Sequence, residues 1–258
     1  MYARVPDGEA HNRPHPRGAH PQGLEACGLI CALDCTASNE WNGQRTFQGR
    51  SLHDMSGVEE NPYQRVIRVI GRTLSAFSTD GEGVYAYGFG DSVTRDHSVF
   101  PLHMHSEGFK SWDQLLQAYK RTIPKLTLSG PTNFGPAIRE AIRHVKVSRS
   151  YKVLVIITDG ETTAHEDTMA AVKEAAGVPL SIIIIGVGDD VNAGFQFLHQ
   201  LDDDGSWRAG AWDNVQFVPY NEVMARAERP DIEFAVACLQ ELPSQYRIIK
   251  QRGLLNVR

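Results

Sequence analysis

The sequence predicts an α/β fold in which helices cover both faces of a central, mainly parallel six-stranded sheet. Three segments are continuously apolar, as strands buried on both faces are: GLICALD (28–34), YKVLVIITD (151–159) and PLSIIIIGVG (179–188). Segments in which apolar residues recur at helical spacing alternate with these strands along the chain. This alternation is typical of parallel strands that are joined by crossover helices.

The elements follow in order from the first buried strand. After 28–34 comes a polar loop, and a helix begins near Asn61, a capping residue, with Pro62 in its first turn. Further strands are expected at 84–90, 98–103 and 215–218, in addition to 151–159 and 179–188. Further helices are expected at about 111–122, 136–148, 165–176, 193–200 and 230–241.

The domain organisation is simple. Residues 1–22 are rich in Pro, Gly, His and Arg and lack a hydrophobic period, so they are predicted to form a disordered tail. Residues 23–258 contain no internal repeat and no linker, so we predict one domain there.

Composition excludes several classes of function. The 26 Lys and Arg residues and 31 Asp and Glu residues give a formal net charge of -5 without long runs of one sign, which does not favour nucleic acid as a partner. The sequence has no apolar stretch near the roughly 18 residues that a membrane span needs, and its first residues do not resemble a secretory signal. We therefore expect no direct membrane anchor, and a location in the cytoplasm with the nucleus as a second compartment.

The four cysteines form no CxxC pair, which argues against a zinc cluster. Cys27, Cys31 and Cys35 recur at a spacing of four, so on a strand they share one face. We predict that these three and Cys238 are buried free thiols.

Oxygen-bearing side chains follow the ends of two buried strands. The first strand ends in Asp34, with Thr36 and Ser38 just beyond it, and the strand from Tyr151 ends in Asp159. Ligands bind at the carboxyl ends of parallel strands, where Thr132 of the GPTNFG loop can approach from a third side. Carboxylate and hydroxyl oxygens suit a hard cation, so we predict that these residues bind Mg²⁺ or Mn²⁺.

The motifs DCTAS, GPTNFG and ITDG resemble the metal-ion-dependent adhesion site of von Willebrand factor A domains, which have a Rossmann-like fold. Each of its five positions has a matching residue: Asp34, Thr36, Ser38, Thr132 and Asp159. The resemblance implies that the three hydroxyl residues bind the metal directly and that the two aspartates act largely through water.

Other motifs resemble one branch of these domains, the copine type, which occurs in copines and in plant RING-type ubiquitin ligases. They run from about Gly23 to Leu255 and include TASNEW, GRSLH, NPYQRVIRVIGRTLSAF, YGFGD, WDNVQFVPYNEVM and ELPSQY. The resemblance implies a non-catalytic adaptor or scaffold domain whose metal accepts an Asp or Glu residue of a protein partner. A second hypothesis is the substrate-recruiting part of a ubiquitin-protein ligase system.

The expected activity is narrower than that of these larger proteins. Copines carry two calcium-dependent lipid-binding modules before this domain, where this sequence has its short tail, and the plant ligases end in a zinc-binding RING finger, whose ligands are absent here. We therefore expect neither calcium-dependent phospholipid binding nor ligase activity from this chain alone.

A phosphotransferase of the haloacid-dehalogenase type is the third hypothesis. It would use Asp34 as nucleophile, with Thr158, Lys173 and the pair Asp189 and Asp190. That chemistry needs a second Asp two residues after the nucleophile as general acid and base, and position 36 is Thr.

Overall fold

A computed structural model describes residues 27–77, 83–103, 107–160, 162–189, 195–208 and 211–255. The predicted tail and the predicted domain start at residue 23 lie outside these ranges, so the domain limits stay a prediction. Within them, strands and helices alternate along the chain. The strands are β1 (Gly28–Asp34), β2 (Tyr85–Phe89), β3 (Phe100–Pro101), β4 (Lys152–Thr158), β5 (Leu180–Gly186) and β6 (Val215–Pro219). The helices are α1 (Pro62–Leu74), α2 (Trp112–Thr122), α3 (Gly135–Ser148), α4 (His165–Ala175), α5 (Gln196–Asp203), α6 (Tyr220–Arg226), α7 (Pro230–Leu239) and α8 (Leu242–Gln251).

The strands form one six-stranded sheet in the order β3-β2-β1-β4-β5-β6. All neighbouring pairs are parallel except β2 and β3, which are antiparallel. From β1 the chain first builds outward through β2 and β3, and it then returns to place β4 on the other side of β1. The strand order therefore reverses between β1 and β4, and the loops that leave their carboxyl ends diverge there.

Alternate residues of the strands face two separate cores, as the period of two along a strand requires. On one face, Leu29 and Leu33 of β1 pack in a cluster with buried side chains of α1, α2, α7 and α8. On the other face, Ile30 and Ala32 pack in a cluster with α3, α4 and α5. The predicted sheet with helices on both faces is confirmed. Cys27, Cys31 and Cys35 lie in the first cluster, and all four cysteines are buried thiols that form no disulfide, as predicted.

The start of α1 was predicted well because it is set by hydrogen bonds between neighbouring residues. The Asn61 side chain accepts a hydrogen bond from the Gln64 backbone at 2.9 Å, and the Gln64 side chain accepts one from the Asn61 backbone at 2.8 Å. This reciprocal capping box satisfies two donors at the helix start, and Pro62 needs no partner for a donor that it lacks.

Two predicted elements differ from the structure. The strand expected at 98–103 is reduced to Phe100–Pro101, and it pairs with β2 at the sheet edge, where a proline that cannot donate is tolerated. The closing helix expected at 230–241 ends at Leu239, and α8 begins at Leu242 with a proline in its first turn. Because proline lacks the N–H that a continuous helix would use, the chain forms two helices.

None of the helices in the described part of the chain is both long and apolar enough to cross a membrane.

Candidate metal centre

The predicted site lies at the carboxyl edge of the sheet, at the reversal between β1 and β4. Asp34 is the last residue of β1, and Asp159 directly follows β4. The two strands are in register with Leu33 opposite Ile157, so Asp34 is level with Thr158 and Asp159 lies one residue beyond it. Adjacent parallel strands thus bring together two residues that are far apart in sequence.

Asp34 is fully buried, and all its hydrogen bonds from described residues come from neutral groups. Its Oδ1 accepts from the Thr36 backbone at 2.8 Å and from Thr36 Oγ1 at 2.6 Å. Its Oδ2 accepts from Thr158 Oγ1 at 2.5 Å. Burial raises the pKa of the Asp34 carboxyl, although the hydrogen bonds from Thr158 and Thr36 act in the opposite direction.

Thr36 and Ser38 present two hydroxyl oxygens 3.1 Å apart. Thr36 Oγ1 donates its proton to Asp34, and Ser38 Oγ donates its proton to Asp159 Oδ1 at 2.9 Å. A hydroxyl has one proton, so when each hydroxyl donates its hydrogen bond to a carboxylate, the two oxygens face each other with lone pairs only. In octahedral coordination at 2.0–2.1 Å, adjacent oxygens lie about 3 Å apart. The observed spacing therefore fits two neighbouring ligands of one small divalent cation.

Asp159 has only 2% of its surface exposed. Besides Ser38, its Oδ1 accepts from Asn39 Nδ2 at 3.1 Å and its Oδ2 accepts from Asn42 Nδ2 at 2.8 Å. Burial, and then the nearby Asp34 charge, raise the pKa of the Asp159 carboxyl well above its usual range. Two buried carboxylates that disfavour each other's charge are an arrangement that a bound cation would stabilise.

Thr132 lies in the adjoining loop, outside the hydrogen-bonded chain that joins the other four residues. This loop is tied to the turn that follows β1 by Ser129, whose carbonyl accepts from the Ala37 backbone at 2.7 Å. The Thr132 carbonyl accepts from Thr162 Oγ1 at 2.8 Å and from the Thr163 backbone at 3.0 Å. The loop is thereby held between the segments that follow β1 and β4. The structure joins four predicted residues directly and places the fifth beside them, and their role in binding a metal stays a prediction.

His53 contacts the backbone of Asp34, and the sequence did not predict this role. Its Nε2 lies 2.8 Å from the Asp34 carbonyl oxygen, which only accepts, so Nε2 carries the proton. Its Nδ1 therefore accepts from the Tyr119 hydroxyl at 2.8 Å. Burial lowers the pKa of His53 to about 4, so the ring is neutral at pH 7. His53 thus holds the backbone of Asp34 in place, and no local motif connects residues 53 and 119.

Gly90 sets how closely the loop after β2 approaches Thr36. Its φ of 84° is in the left-handed region that favours glycine. A Cβ atom at this position would collide with the Thr36 Cγ2 methyl group. The GFG motif that includes Gly90 is therefore explained by close packing against the site.

A second group of carboxylates lies at the opposite, amino-terminal edge of the sheet. One oxygen from each of Asp202, Asp213 and Glu241 lies within 4.8 Å of the others. Arg208 Nη2 lies 3.0 Å from Asp213 Oδ1 and supplies a positive charge there. Burial, then charge repulsion within the group, raises the pKa of Glu241 to about 7. The group is a pH-sensitive feature, and its arginine distinguishes it from the neutral surroundings of Asp34.

Solved structures resemble this chain in fold. The manganese-loaded TRAP protein of Plasmodium vivax aligns with a TM-score of 0.53 and 17% identity, over 79% of this chain and 72% of that chain. The PilB minor pilin of Streptococcus sanguinis aligns with a TM-score of 0.50 and 14% identity, over 93% of this chain and 64% of that chain. The predicted Rossmann-like von Willebrand A fold is confirmed.

Several curated proteins are more similar to this chain in sequence than these solved structures are. Copine family protein 1 of Caenorhabditis elegans is 42% identical over 91% of this chain, which spans 21% of that protein. The E3 ubiquitin-protein ligase RGLG5 of Arabidopsis thaliana is 39% identical over 92% of this chain, which spans 57% of it. Copine-C of Dictyostelium discoideum is 32% identical over 84% of this chain, which spans 41% of it. The chain thus spans less than two thirds of each of these relatives.

The family model described as Copine matches residues 51–258, which include Thr132 and Asp159 of the candidate site. This match and the identities to copine proteins from two organisms confirm the resemblance that the motifs indicated, and show that this chain belongs to the copine family.

Proposed function

We propose that this chain is a protein-binding adaptor domain that recognises its partners through a divalent cation, Mg²⁺ or Mn²⁺. The cation would be held by Asp34, Thr36, Ser38, Thr132 and Asp159. The observation that carries this proposal is the 3.1 Å spacing of the Thr36 and Ser38 oxygens, each with its proton committed to a buried carboxylate. Neutral hydroxyl ligands leave a bound cation electron-poor, so it attracts an Asp or Glu side chain of a partner.

The direct test is metal binding by the full chain. Isothermal titration with MgCl₂ and MnCl₂ should show one site, and Ser38→Ala should weaken binding at least about tenfold because one ligand oxygen is removed. Ser148→Ala is the matched control, since Ser148 is exposed at the end of α3 and donates to the His144 carbonyl instead. If neither cation binds or raises the melting temperature of the wild-type chain, the proposal is wrong.

Partner capture tests the second half of the proposal. Proteins retained on the immobilised chain in Mg²⁺ should be released by EDTA, and Ser38→Ala should retain them less well than Ser148→Ala does. Substitution of single Asp or Glu residues in a captured partner should identify one whose loss abolishes binding. Retention that is equally strong in EDTA would contradict the metal-dependent mode.

A role in substrate recruitment for a ubiquitin ligase is the second candidate. Arabidopsis relatives that are 38% and 39% identical are named E3 ubiquitin-protein ligases, and this chain spans 50% and 57% of them. In a reconstituted reaction with a ligase that binds this chain, a captured partner should be ubiquitinated only when the chain and Mg²⁺ are both present. Ubiquitin chains formed by this chain with E1 and E2 alone would contradict the expectation that it is non-catalytic.

The positions of residues in the structure do not favour the phosphotransferase alternative. Thr36 stands where that chemistry needs its acid and base, and it hydrogen-bonds to Asp34. Lys173 is exposed in the last turn of α4, a helix that starts near the carboxyl edge of β4 and runs away from it. Lys173 is eight positions after His165 at the helix start, so the helix rises about 12 Å between them. Asp190 lies outside the described residues.

A further inference from the structure

A cavity of about 760 Å³ is lined in part by His53, whose Nε2 lies 2.8 Å from the Asp34 carbonyl of the candidate metal centre. We call it the His53 cavity, after the residue in its wall that also contacts Asp34. One side is formed by the loop of residues 50–56 and the other by residues 123–128. Its volume is within the range of ordinary ligand sites, so it can accept a side chain of a partner.

The cavity and the metal centre share structural parts. Glu40 at the lip of the cavity ends the 3₁₀ turn Ala37–Glu40, which also carries Ser38. Leu128 in its wall precedes Ser129, whose carbonyl accepts from the Ala37 backbone at 2.7 Å. An extended peptide rises about 3.3 Å per residue, and Ser38 and Glu40 lie in the same short turn, so a partner segment of a few residues can contact both.

Much of the lining is apolar. Met55, Leu126 and Leu128 are half-buried, Ile123 is buried, and Pro124 is exposed beside them. An apolar side chain placed here would leave water for an apolar surface that is already formed.

Several polar groups of the lining have partners within the protein. Both ring nitrogens of His53 are hydrogen-bonded, one to Tyr119 and one to the Asp34 carbonyl. The Arg50 guanidinium lies 3.6 Å from Asp54, 4.0 Å from Glu59 and 3.9 Å from the centre of the Phe47 ring. Two carboxylates near this positive charge weaken its attraction for a phosphate or another anion, although the Arg50 Nε atom has no hydrogen-bond partner among the described residues.

We propose that the His53 cavity binds an aliphatic side chain of the same partner segment whose acidic residue binds the cation. This inference rests on the proposed function and adds the sequence that a partner must offer: an Asp or Glu with a Leu-like residue within about four positions of it. The 3₁₀ turn Ala37–Glu40 contributes Ser38 to one subsite and Glu40 to the other, so the two subsites are neighbours.

The probes are fluorescent peptides with one Asp in a Gly and Ser background. One set carries a Leu at each of four positions on either side of the Asp, and a matched set carries Ser instead. Fluorescence polarisation with the full chain is measured in Mg²⁺ and in EDTA. We expect one Leu peptide to bind about tenfold tighter than its Ser counterpart in Mg²⁺, and neither to bind in EDTA.

Variants assign the gain to the cavity. Leu126→Gln and Met55→Gln should remove the preference for Leu and leave the affinity for the Ser peptide unchanged. Val147→Gln is the matched control because Val147 is 74% exposed on α3, and it should keep the preference. Circular dichroism checks that each variant is folded. If one of the two cavity variants does not fold, the other still tests the cavity.

The outcomes separate the two proposals. If Leu and Ser peptides bind equally and both need Mg²⁺, the cavity inference is wrong and the proposed function stands. If no peptide depends on Mg²⁺, the proposed function fails and this inference fails with it. A Leu peptide that binds equally well in EDTA would show a cavity independent of the metal centre and would also overturn the inference.

Discussion

Replacing Asp34 by Asn tests whether the two buried carboxylates oppose each other when no cation is bound. The hydrogen bonds of 2.6, 3.1 and 2.9 Å that link Asp34, Thr36, Ser38 and Asp159 set an upper limit on their separation. At about 8 Å and an effective dielectric constant of about 20, the repulsion is about 2 kcal/mol. Removing one charge should therefore stabilise the metal-free protein.

The hydrogen-bond network can accommodate this change. The side-chain oxygen that remains after Asp34→Asn can accept from Thr36, and the new amide can donate to Thr158 Oγ1, whose proton can turn to the Gly160 carbonyl at 3.1 Å. The second amide hydrogen has no acceptor in this arrangement and costs about 1 kcal/mol. The net gain in the free energy of unfolding is about 1 kcal/mol in EDTA.

In Mg²⁺, the Asp34→Asn variant should instead be less stable than the wild type. At one hundred times the dissociation constant, a bound ion stabilises the wild-type protein by about 2.7 kcal/mol, and the variant should lose most of this increment. Urea denaturation at pH 7 in EDTA and in Mg²⁺ measures both quantities. The reasoning is refuted if the Asp34→Asn variant is less stable than the wild type in EDTA, or if Mg²⁺ stabilises the variant as much as it stabilises the wild type.

Asp189→Asn is the matched control at the same edge of the sheet. Its carboxylate accepts from the backbones of Arg45 and Thr46 at 2.8 and 2.7 Å. Burial acts to raise the pKa of Asp189, but the hydrogen bonds from Thr46 and Arg45 outweigh it and lower the pKa. The fold thus favours this charge, so Asp189→Asn should destabilise the protein in EDTA and in Mg²⁺ alike, with an unchanged Mg²⁺ increment.

Three further substitutions test the supporting structure by urea denaturation. Gly90→Ala should lower the free energy of unfolding by about 2 kcal/mol or more, because it combines an unfavourable positive φ with a collision against Thr36. Tyr119→Phe should cost about 1 to 2 kcal/mol, since His53 Nδ1 loses its donor and remains buried. Glu241 has its pKa raised to about 7 in the folded state, so the folded protein holds this proton longer than the unfolded chain does. Stability should therefore fall as pH rises from about 4.5 to about 7, and Glu241→Gln should reduce that fall by about 1 kcal/mol after allowance for solvent screening.

Each of these has a matched control. Gly253→Ala has a positive φ of 66° with no atom within 4 Å of the added Cβ, so it should cost only about 1 kcal/mol. Tyr85→Phe changes a half-buried ring on β2 and should change stability by less than about 0.5 kcal/mol. Glu228→Gln, at an exposed residue, should leave the pH profile unchanged. Equal effects in a test variant and its control would contradict the corresponding assignment.

Local patterns account for the parts of the fold that the sequence predicted well. The bounds of β1 follow from an unbroken apolar run, and the start of α1 follows from the capping box at Asn61 and Gln64. The edge strand and the closing helix were predicted less accurately. Pro101 is tolerated in a strand only because that strand lies at the sheet edge, and α8 forms as a separate helix that packs against the first core cluster. Tertiary context decides such short elements.

The candidate site divides in the same way. Asp34, Thr36 and Ser38 lie within five residues, so their spacing is visible in the sequence. Asn39 and Asn42 reach Asp159 across more than one hundred residues, and His53 reaches Tyr119 across 66. These pairs have no shared local pattern, and their roles appear only when the strands are assembled.

The sequence by itself determined the apolar strands, the α1 cap and the oxygen-rich residues after two strands, because hydrophobic period and side-chain chemistry are local properties. Only the tertiary structure decided that β1 and β4 are neighbours, that the Thr36 and Ser38 oxygens lie 3.1 Å apart, and that His53 lines a largely apolar cavity. These depend on strand order and on packing between distant segments, which set distances that no spacing along the chain can specify.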